Sequence, residues 1–183
     1  MGESPEHITL ITSVQHAQTI DIPLDQKYIY LTQTTLSVDE TKEIVTALMQ
    51  RFANLVAPPT DDICYATQNR QQAVKDLAAQ CDVVLVIGSR NSSNSLRLKE
   101  VSQDLGTQAF LIDGPSELQE AWLQGAKRIG ITAGASAPEI LVSQLVERIQ
   151  SLFPQATVKP LNGTPENMHF PLPKELTGVK AAA

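Results

Sequence analysis

Cysteine and aromatic residues are scarce in this 183-residue sequence, which contains two cysteines and 4% aromatic residues. Two cysteines cannot form the disulfide framework of a small secreted domain. No apolar run approaches the ~18 residues that a membrane-spanning helix requires. The opening MGESPEH also lacks the basic segment and following apolar segment of a signal peptide. These absences lead us to expect a cytoplasmic protein with no membrane partner.

Basic residues are outnumbered as well. Fourteen Lys and Arg residues stand against twenty Asp and Glu residues, for a formal net charge of -6. A chain of this charge does not attract the phosphate backbone of nucleic acid nonspecifically, so we expect no nucleic-acid partner. The rest of the composition, 42% hydrophobic and 19% charged, is that of an ordinary globular protein. Any bound phosphate group must therefore be held by a local arrangement of hydrogen-bond donors.

Apolar runs alternate with amphipathic segments after about residue 60, and this pattern predicts an α/β fold with parallel sheets flanked by helices. The runs are continuous and rich in β-branched residues, as expected for strands covered by helices on both faces. The predicted strands are DVVLVIG, QAFLID and RIGITAG, and the predicted helices lie around 67–80, 94–105, 116–125 and 137–153.

The first sixty residues contain fewer elements. Two candidate strands, ITLITSV and KYIYLTQT, precede one amphipathic helix, at whose start Ser37 and Glu40 form a capping box. This is too little for an independent doubly wound domain, so we expect half of a lobe similar to the complete one that follows. The predicted divisions are a partial middle lobe at 1–59, a complete carboxyl-terminal lobe at 60–153 and an extended, proline-rich tail at 154–183.

Small polar residues follow several predicted strands: SRNSSNS, ASAP and TTLS. In an open parallel sheet, ligands bind outside the carboxyl ends of the strands, where helix N-termini attract anions. Hydroxyl and amide groups donate hydrogen bonds to phosphate oxygens without adding charge. Each loop alone is also explained by helix capping, and Ser136 before Pro138 in particular resembles a helix start. Together the loops favour an anion site.

The two cysteines lie at opposite ends of the predicted helix over 67–80. Cys64 precedes this helix, where the positive end of the helix dipole stabilises a thiolate, so we interpret it as functional rather than as a buried, inert thiol. Cys81 directly precedes a buried strand, and we interpret it as a small core side chain. Because a helix of this length spans ~20 Å, the two sulfur atoms cannot easily share a disulfide or a metal ion.

Other common site motifs are absent. The sequence contains neither a G-x-G-x-x-G fingerprint nor a P-loop, so a nucleotide is not indicated. The G-x-S-x-G nucleophile elbow is missing too. His7, His16 and His169 have no zinc-ligand spacing with either cysteine.

The segments TQTTLSVDET, DDICYATQNRQ, VIGSRNSSNS and ITAGASAPE, in this order, resemble the carboxyl-terminal half of the 4-hydroxy-3-methylbut-2-enyl diphosphate reductases of the non-mevalonate isoprenoid pathway. The resemblance extends from the first residues to FPLPKEL near the end. It implies similar α/β lobes around a 4Fe-4S cluster with three cysteine ligands. It also implies reductive dehydroxylation of the diphosphate substrate to isopentenyl and dimethylallyl diphosphates, with a ferredoxin or flavodoxin type electron donor.

The same resemblance implies a role for particular residues of this sequence. Cys64 would be a cluster ligand. Ser92, Ser93, Asn94 and Ser136 would bind the substrate diphosphate, and Thr34 would be a catalytic residue beside the hydroxyl end of the substrate. Apart from Cys64, which precedes a predicted helix, these residues are the ones that follow the predicted strands.

The sequence departs from the family pattern at its start. The family's amino-terminal lobe, with the other two cysteine ligands, has no counterpart here, so we expect a fragment that lacks reductase activity by itself. A second interpretation is a non-catalytic α/β module that keeps a diphosphate-binding site. A third is an enzyme with Cys64 as nucleophile, although no histidine lies in a neighbouring motif to serve as its base.

Overall fold

The structure, a computed structural model, describes residues 4–58, 62–161 and 163. Short single turns of 3-10 helix lie at Pro5–His7, Pro115–Glu117 and Glu120–Leu123. The α-helices are α1 (Val14–Thr19), α2 (Val38–Arg51), α3 (Tyr65–Ala78), α4 (Ser93–Asp104) and α5 (Glu139–Leu152). The strands are β1 (Tyr28–Ile29), β2 (Leu55–Val56), β3 (Val83–Ile87), β4 (Gln108–Ile112) and β5 (Ile129–Ala133).

β3 is the central strand of a three-stranded parallel sheet with the order β4-β3-β5. Val83 pairs with Gln108 on one side and with Ile129 on the other, and every residue of β3 is buried. Successive side chains of a strand point to opposite faces, so a strand that is apolar throughout requires cover on both faces. The predicted α/β class, with parallel sheets flanked by helices, is confirmed.

Two apolar clusters cover the two faces of this sheet. Leu85 and Ile87 pack with Leu145 and Ile149 of α5 on one face. On the other face, Val84 packs with residues of α3 and α4. The chain therefore leaves β3 toward one face and leaves the neighbouring strand β5 toward the opposite face.

The first region has a smaller sheet and a smaller core. β1 and β2 pair in parallel, with Tyr28 opposite Leu55. Their core joins α1 and α2 through Ala17, Ile20, Ala47, Leu48 and Phe52.

The predicted strand ITLITSV is wrong. Residues 8–12 form no strand, and α1 begins at Val14 because the Ser13 hydroxyl caps it by accepting a hydrogen bond from the His16 N–H. A strand requires a paired neighbour, and none of the described strands pairs with residues 8–12. The predicted strand KYIYLTQT is reduced to Tyr28–Ile29 for the same reason, since its partner β2 has two residues.

The predicted helix over 116–125 is replaced by two short 3-10 turns. The chain is extended at Leu118 and Gln119 between them, which interrupts the helical hydrogen bonding. This break lets Leu118 and Leu123 both enter the core and lets Trp122 stack on Phe110, with 4.1 Å between the ring centroids. Packing against the sheet thus overrides the local helical pattern.

The capping box predicted for α2 is half formed. The Ser37 hydroxyl accepts a hydrogen bond from the Glu40 N–H at 3.4 Å, as predicted. The Glu40 carboxylate instead pairs with Arg97 of α4 at 3.2 Å.

The division near residue 60 falls on residues 59–61, which lie outside the described residues, and so does most of the tail at 154–183. Residues 154–161 contain no helix or strand. The predicted divisions therefore stay predictions. Among the described residues, no helix has both the length and the hydrophobicity to cross a membrane.

Candidate functional site

The loops that follow β3 and β5 meet at the carboxyl edge of the sheet. β3 and β5 are adjacent and parallel, with Ile87 opposite Ala133, and the chain leaves them toward opposite faces. A crevice opens where two such connections diverge, and ligands of open α/β sheets bind in it. The first loop leads to Ser92, Ser93 and Asn94, and the second leads to Ser136.

Ser92 caps α4, with its hydroxyl oxygen accepting a hydrogen bond from the Ser95 N–H at 3.3 Å. The capping explanation therefore holds for this residue. Ser93 is the first residue of α4, and its side chain is exposed.

Asn94 and Ser95 are buried polar side chains without a hydrogen-bond partner among the described residues. Asn94 is 6% exposed and Ser95 is 0% exposed, yet both polar atoms of the Asn94 amide and the Ser95 hydroxyl are unpaired. Leaving a buried polar group unpaired costs roughly 1–3 kcal/mol. Two neighbouring side chains with unpaired polar atoms at the carboxyl edge of the sheet make this position the candidate site for a polar ligand.

Two glycines allow α4 to approach the strand ends this closely. A Cβ atom at Gly88 would lie 2.7 Å from Ser95 Cβ and collide with Ser95 Oγ. A Cβ atom at Gly134 would collide with the same Oγ and lie 3.7 Å from Asn94 Nδ2. The Ser95 side chain thus fills a slot between the two glycines, and any larger residue at 88 or 134 would push the first turn of α4 away.

Ser136 does not cap α5. That helix begins at Glu139 with Pro138 as its N-cap residue and has no side-chain capping bond. The segment of Ser136 and Pro138 thus leads into a helix start, as its alternative explanation expects, but the exposed Ser136 hydroxyl does not cap the helix and lies in the turn that follows Gly134.

Cys64 is the N-cap residue of α3 and is exposed. Its Sγ lies 3.2 Å from the Thr67 hydroxyl. This hydroxyl lowers the pKa of the Cys64 thiol, and the backbone N–H groups of Thr67 and Ala66 lower it further. Arg70 adds a small effect in the same direction, against the opposing effect of burial. The site therefore favours the thiolate, which is the form that binds metals and reacts with electrophiles.

Cys81 has the opposite character. Burial and the nearby Asp82 carboxylate raise the pKa of its thiol. The half-buried sulfur packs at the amino end of the sheet, where a Cβ atom on Gly130 would lie 3.2 Å from it. This placement agrees with the interpretation of Cys81 as a packing residue.

Thr34 lies beside the start of α3, in an exposed position. Its backbone carbonyl accepts a hydrogen bond from the Cys64 N–H at 3.3 Å. α3 runs from the carboxyl edge of the sheet back to the start of β3, so its first turn lies at the same edge as the polar loops. The fold brings Thr34 and Cys64 together, and it brings Asn94 together with the turn of Ser136.

The described residues can be compared with the cluster ligand that the resemblance implies. None of them form a group of three or more His, Cys, Asp or Glu side chains that could hold a metal ion. Cys64 has the exposure and the lowered pKa that suit a thiolate ligand, while Cys81 has neither. The residues present therefore fit one ligand of a 4Fe-4S cluster and do not form a complete cluster site.

Sequence reasoning missed several residues of this edge. Ser95 lies within NSSNS, but its role depends on two glycines that are distant in sequence. Thr67 was detectable as the hydroxyl residue three positions after Cys64 at a helix start. Gln71 gave no sequence signal, because its partners lie more than thirty residues away.

Residues 1–150 match the LytB protein family. The chain belongs to this family. Among its LytB relatives, it is 50% identical to the 4-hydroxy-3-methylbut-2-enyl diphosphate reductase of Azoarcus sp. (strain BH72), over 96% of this chain and 56% of that protein. It is also 50% identical to the reductase of Mycobacterium ulcerans (strain Agy99), over 96% of this chain and 53% of that protein. The chain thus spans about half the length of the curated relatives it matches.

A solved structure shares the fold as well. The E-1-hydroxy-2-methyl-but-2-enyl-4-diphosphate reductase from Plasmodium falciparum is similar with a TM-score of 0.83 and 33% sequence identity. The similarity covers 91% of this LytB chain and 53% of that chain.

Proposed function

We propose that this chain is the part of a 4-hydroxy-3-methylbut-2-enyl diphosphate reductase that binds the substrate diphosphate and supplies one thiolate to a 4Fe-4S cluster. Membership of the LytB family and the names of the relatives support this proposal. The observation that carries the diphosphate half is the buried, unpaired pair Asn94 and Ser95 beside Gly134.

In this proposal the diphosphate oxygens complete the hydrogen bonds that the protein leaves unmade. The Asn94 amide donates to the anion, and the hydroxyl groups of Ser92, Ser93 and Ser136 donate as well. The first turn of α4 adds its free N–H groups and the positive end of the helix dipole. Neutral donors suit an anion site in a chain of net charge -6.

Cys64 and Thr34 form the other half of the proposed site. The lowered pKa keeps the Cys64 sulfur in the thiolate form that a cluster ligand requires. The Thr34 hydroxyl would hydrogen-bond the hydroxyl end of the substrate and orient it. When bound, the cluster would pass on two electrons, one at a time, from an external donor for reductive loss of that hydroxyl group as water.

Titration with inorganic pyrophosphate tests the diphosphate half. We expect the 183-residue chain to bind pyrophosphate in calorimetry, and Asn94→Ala to weaken binding by ~10-fold or more, since it removes a buried donor worth ~1–3 kcal/mol. Ser102→Ala is the matched control, because Ser102 is a fully buried serine of the same helix whose hydroxyl donates to the Leu98 carbonyl at 3.0 Å. Unchanged affinity in Asn94→Ala, or no binding by the unaltered chain, would contradict the proposal.

A chimera tests the cluster half. The part of the Azoarcus reductase that this chain does not cover would be joined to this chain, and the product reconstituted with iron and sulfide without oxygen. We expect the brown cluster absorbance to appear, to be lost in Cys64→Ser and to persist in Cys81→Ser. Loss of the absorbance in Cys81→Ser alone would show that the wrong sulfur was assigned.

A second candidate function is a non-catalytic module that binds a diphosphate. The observation in its favour is that the sequence contains two cysteines, of which one lies at the site. Three thiolates cannot come from one such chain, so we expect the chain alone to remain colourless after reconstitution and to lack reductase activity. The ferredoxin or flavodoxin type donor and the cytoplasmic location stay predictions.

A further inference from the structure

The segment that carries Thr34 is attached to α3 by a buried glutamine. Gln71 is 1% exposed. Its Oε1 accepts a hydrogen bond from the Val38 N–H at 3.0 Å, and its Nε2 donates to the Leu36 carbonyl at 2.8 Å. One side-chain amide therefore satisfies a donor and an acceptor of the same backbone segment.

This pairing requires a glutamine-like side chain. An amide presents one acceptor and two donors in a plane, which matches the N–H and C=O groups of an adjacent backbone segment. Inside the protein such bonds are strong, and leaving their backbone partners unpaired is costly. Leu36 and Val38 flank Ser37, the N-cap residue of α2, so Gln71 fixes the point where the Thr34 turn enters α2.

The other end of the segment is attached near Cys64. The Asp62 carboxylate accepts a hydrogen bond from the Thr32 N–H at 2.7 Å. The Cys64 N–H donates to the Thr34 carbonyl. Residues 32–38 are therefore held on both sides of Thr34 by the start and first turns of α3.

Two ion pairs also join α2 to the second region (residues 62–153), but they are weaker candidates for this role. Lys75 pairs with Asp39 at 2.6 Å, and Arg97 pairs with Glu40 at 3.2 Å. Both carboxylates are mostly exposed, and exposed ion pairs contribute little because water screens them. Gln71 is the buried attachment.

We propose that Gln71 is a positioning residue that holds the Thr34 segment against the Cys64 end of α3. In this arrangement the hydroxyl that orients the substrate and the thiolate that binds the cluster belong to one rigid edge, although they come from different regions of the chain. The proposal rests on the proposed function for the roles of Thr34 and Cys64. The geometry it describes can be measured without substrate or cluster.

Amide hydrogen exchange of the 183-residue chain tests the proposal. In Gln71→Met, an apolar side chain of similar length, we expect protection of the Val38 N–H to fall at least ~10-fold, because both hydrogen bonds of the amide are lost. Protection of the Cys64 N–H should fall as well, although Gln71 makes no hydrogen bond to Cys64, because the segment that provides its acceptor is released. The Gly88 and Gly134 amides, which pair within the second region, should be unaffected.

The control and a second variant separate positioning from general stability. The control is Gln72→Met, which alters an exposed neighbour whose side-chain amide donates a hydrogen bond to the Asp76 carboxylate at 3.1 Å. It should leave the exchange protection of all the backbone N–H groups named above unchanged. Gln71→Glu keeps the acceptor for Val38 but, when ionised, turns a carboxylate oxygen toward the Leu36 carbonyl, so at neutral pH it should also lower the protection of the Cys64 N–H. Unchanged Cys64 protection in either Gln71 variant would overturn the proposal. An equal loss at Gly88 and Gly134 would also overturn it, since Gln71 would then serve overall stability.

Pyrophosphate affinity gives a further readout. A general loss of stability would weaken it, whereas the proposed role of Gln71 leaves it unchanged. The loops proposed to bind the diphosphate follow β3 and β5, and Gln71 holds a different segment. Gln71→Met should therefore leave pyrophosphate affinity unchanged. Failure of the unaltered chain to bind pyrophosphate would contradict the proposed function, whereas exchange of the Cys64 N–H, compared with that of Gly88 and Gly134, decides the role of Gln71.

Discussion

The two regions of this chain differ in how completely their sheets are covered. In residues 62–153, every residue of β3 is buried, and helices pack on both faces of its sheet. In residues 4–58, each strand has two residues, and large apolar side chains remain exposed, including Ile8 at 62%, Leu10 at 75% and Leu31 at 77%. The larger sheet is covered on both faces, whereas the first region has a smaller core and leaves several large apolar side chains exposed.

This difference determines how each part of the candidate site is held in position. The loops that follow β3 and β5 extend from the well-covered sheet, so their positions follow from its packing. Thr34 belongs to the thinly covered region, so its position depends on hydrogen bonds to α3. A site that spans both regions is therefore as rigid as the attachment between them.

The largest expected effect comes from truncating a core residue in each region. Leu85→Ala should lower the free energy of unfolding by ~2–5 kcal/mol, since Leu85 is fully buried in the central strand. Urea denaturation followed by the fluorescence of Trp122, the single tryptophan, reports on this region. Phe52→Ala should leave that transition in place while the Ala47 and Leu48 amides lose protection. An equal shift of the Trp122 transition in both variants would show that the regions unfold together.

The next-largest effect concerns glycine substitutions at the two ends of the strands of the larger sheet. Gly88→Ala should destabilise the chain by ~1–3 kcal/mol through overpacking against Ser95 and should weaken pyrophosphate binding. Gly130→Ala is the matched control at the amino ends of the strands, where the added Cβ atom would lie 3.2–3.4 Å from three side chains and collide with none. Calorimetry should show normal pyrophosphate affinity for the control. Weakened binding in both variants would place the site elsewhere.

A smaller effect distinguishes the two thiols. The pKa of Cys64 is lowered and that of Cys81 is raised, so iodoacetamide should label Cys64 first at neutral pH. The labelling rate of Cys64 should rise at a lower pH than that of Cys81, because the thiolate reacts. Thr67→Val should move the labelling profile of Cys64 to higher pH, because it removes the hydroxyl that does most to lower the pKa of the Cys64 thiol. Peptide mass spectrometry after timed labelling gives both profiles, and preferential labelling of Cys81 would contradict the assignment.

The smallest expected effect is a loss of stability of the second region as the pH falls into the acid range. Hydrogen bonds from the Arg128 and Lys127 N–H groups lower the pKa of Asp82. A carboxyl group whose pKa is lower in the folded state contributes stability above its unfolded pKa and loses it as pH falls through its folded pKa. Asp82→Asn should flatten this part of the curve of Trp122 unfolding midpoint against pH. Parallel curves for the two proteins would show that Asp82 contributes nothing to the pH dependence of stability.

The sequence by itself determined the larger sheet and its helices. Continuous apolar runs predicted β3, β4 and β5 within one residue at either end, because a strand covered on both faces must be apolar throughout. It also placed Cys64 at a helix start and the Ser and Asn loops after strands, since these positions follow from local patterns. It failed at ITLITSV and at 116–125, where an apolar pattern forms a regular element only if neighbouring segments pair with it or pack against it.

Only the tertiary structure decided which polar groups lack partners and which join the two regions. The unpaired state of Asn94 and Ser95 results from the close approach of α4 to Gly88 and Gly134. The role of Gln71 results from contact with a segment more than thirty residues away. Burial and long-range hydrogen bonding are properties of the packed chain, and no local pattern of residues encodes them. The sequence therefore identified the edge of the sheet, while packing determined which of its polar side chains are buried without a partner.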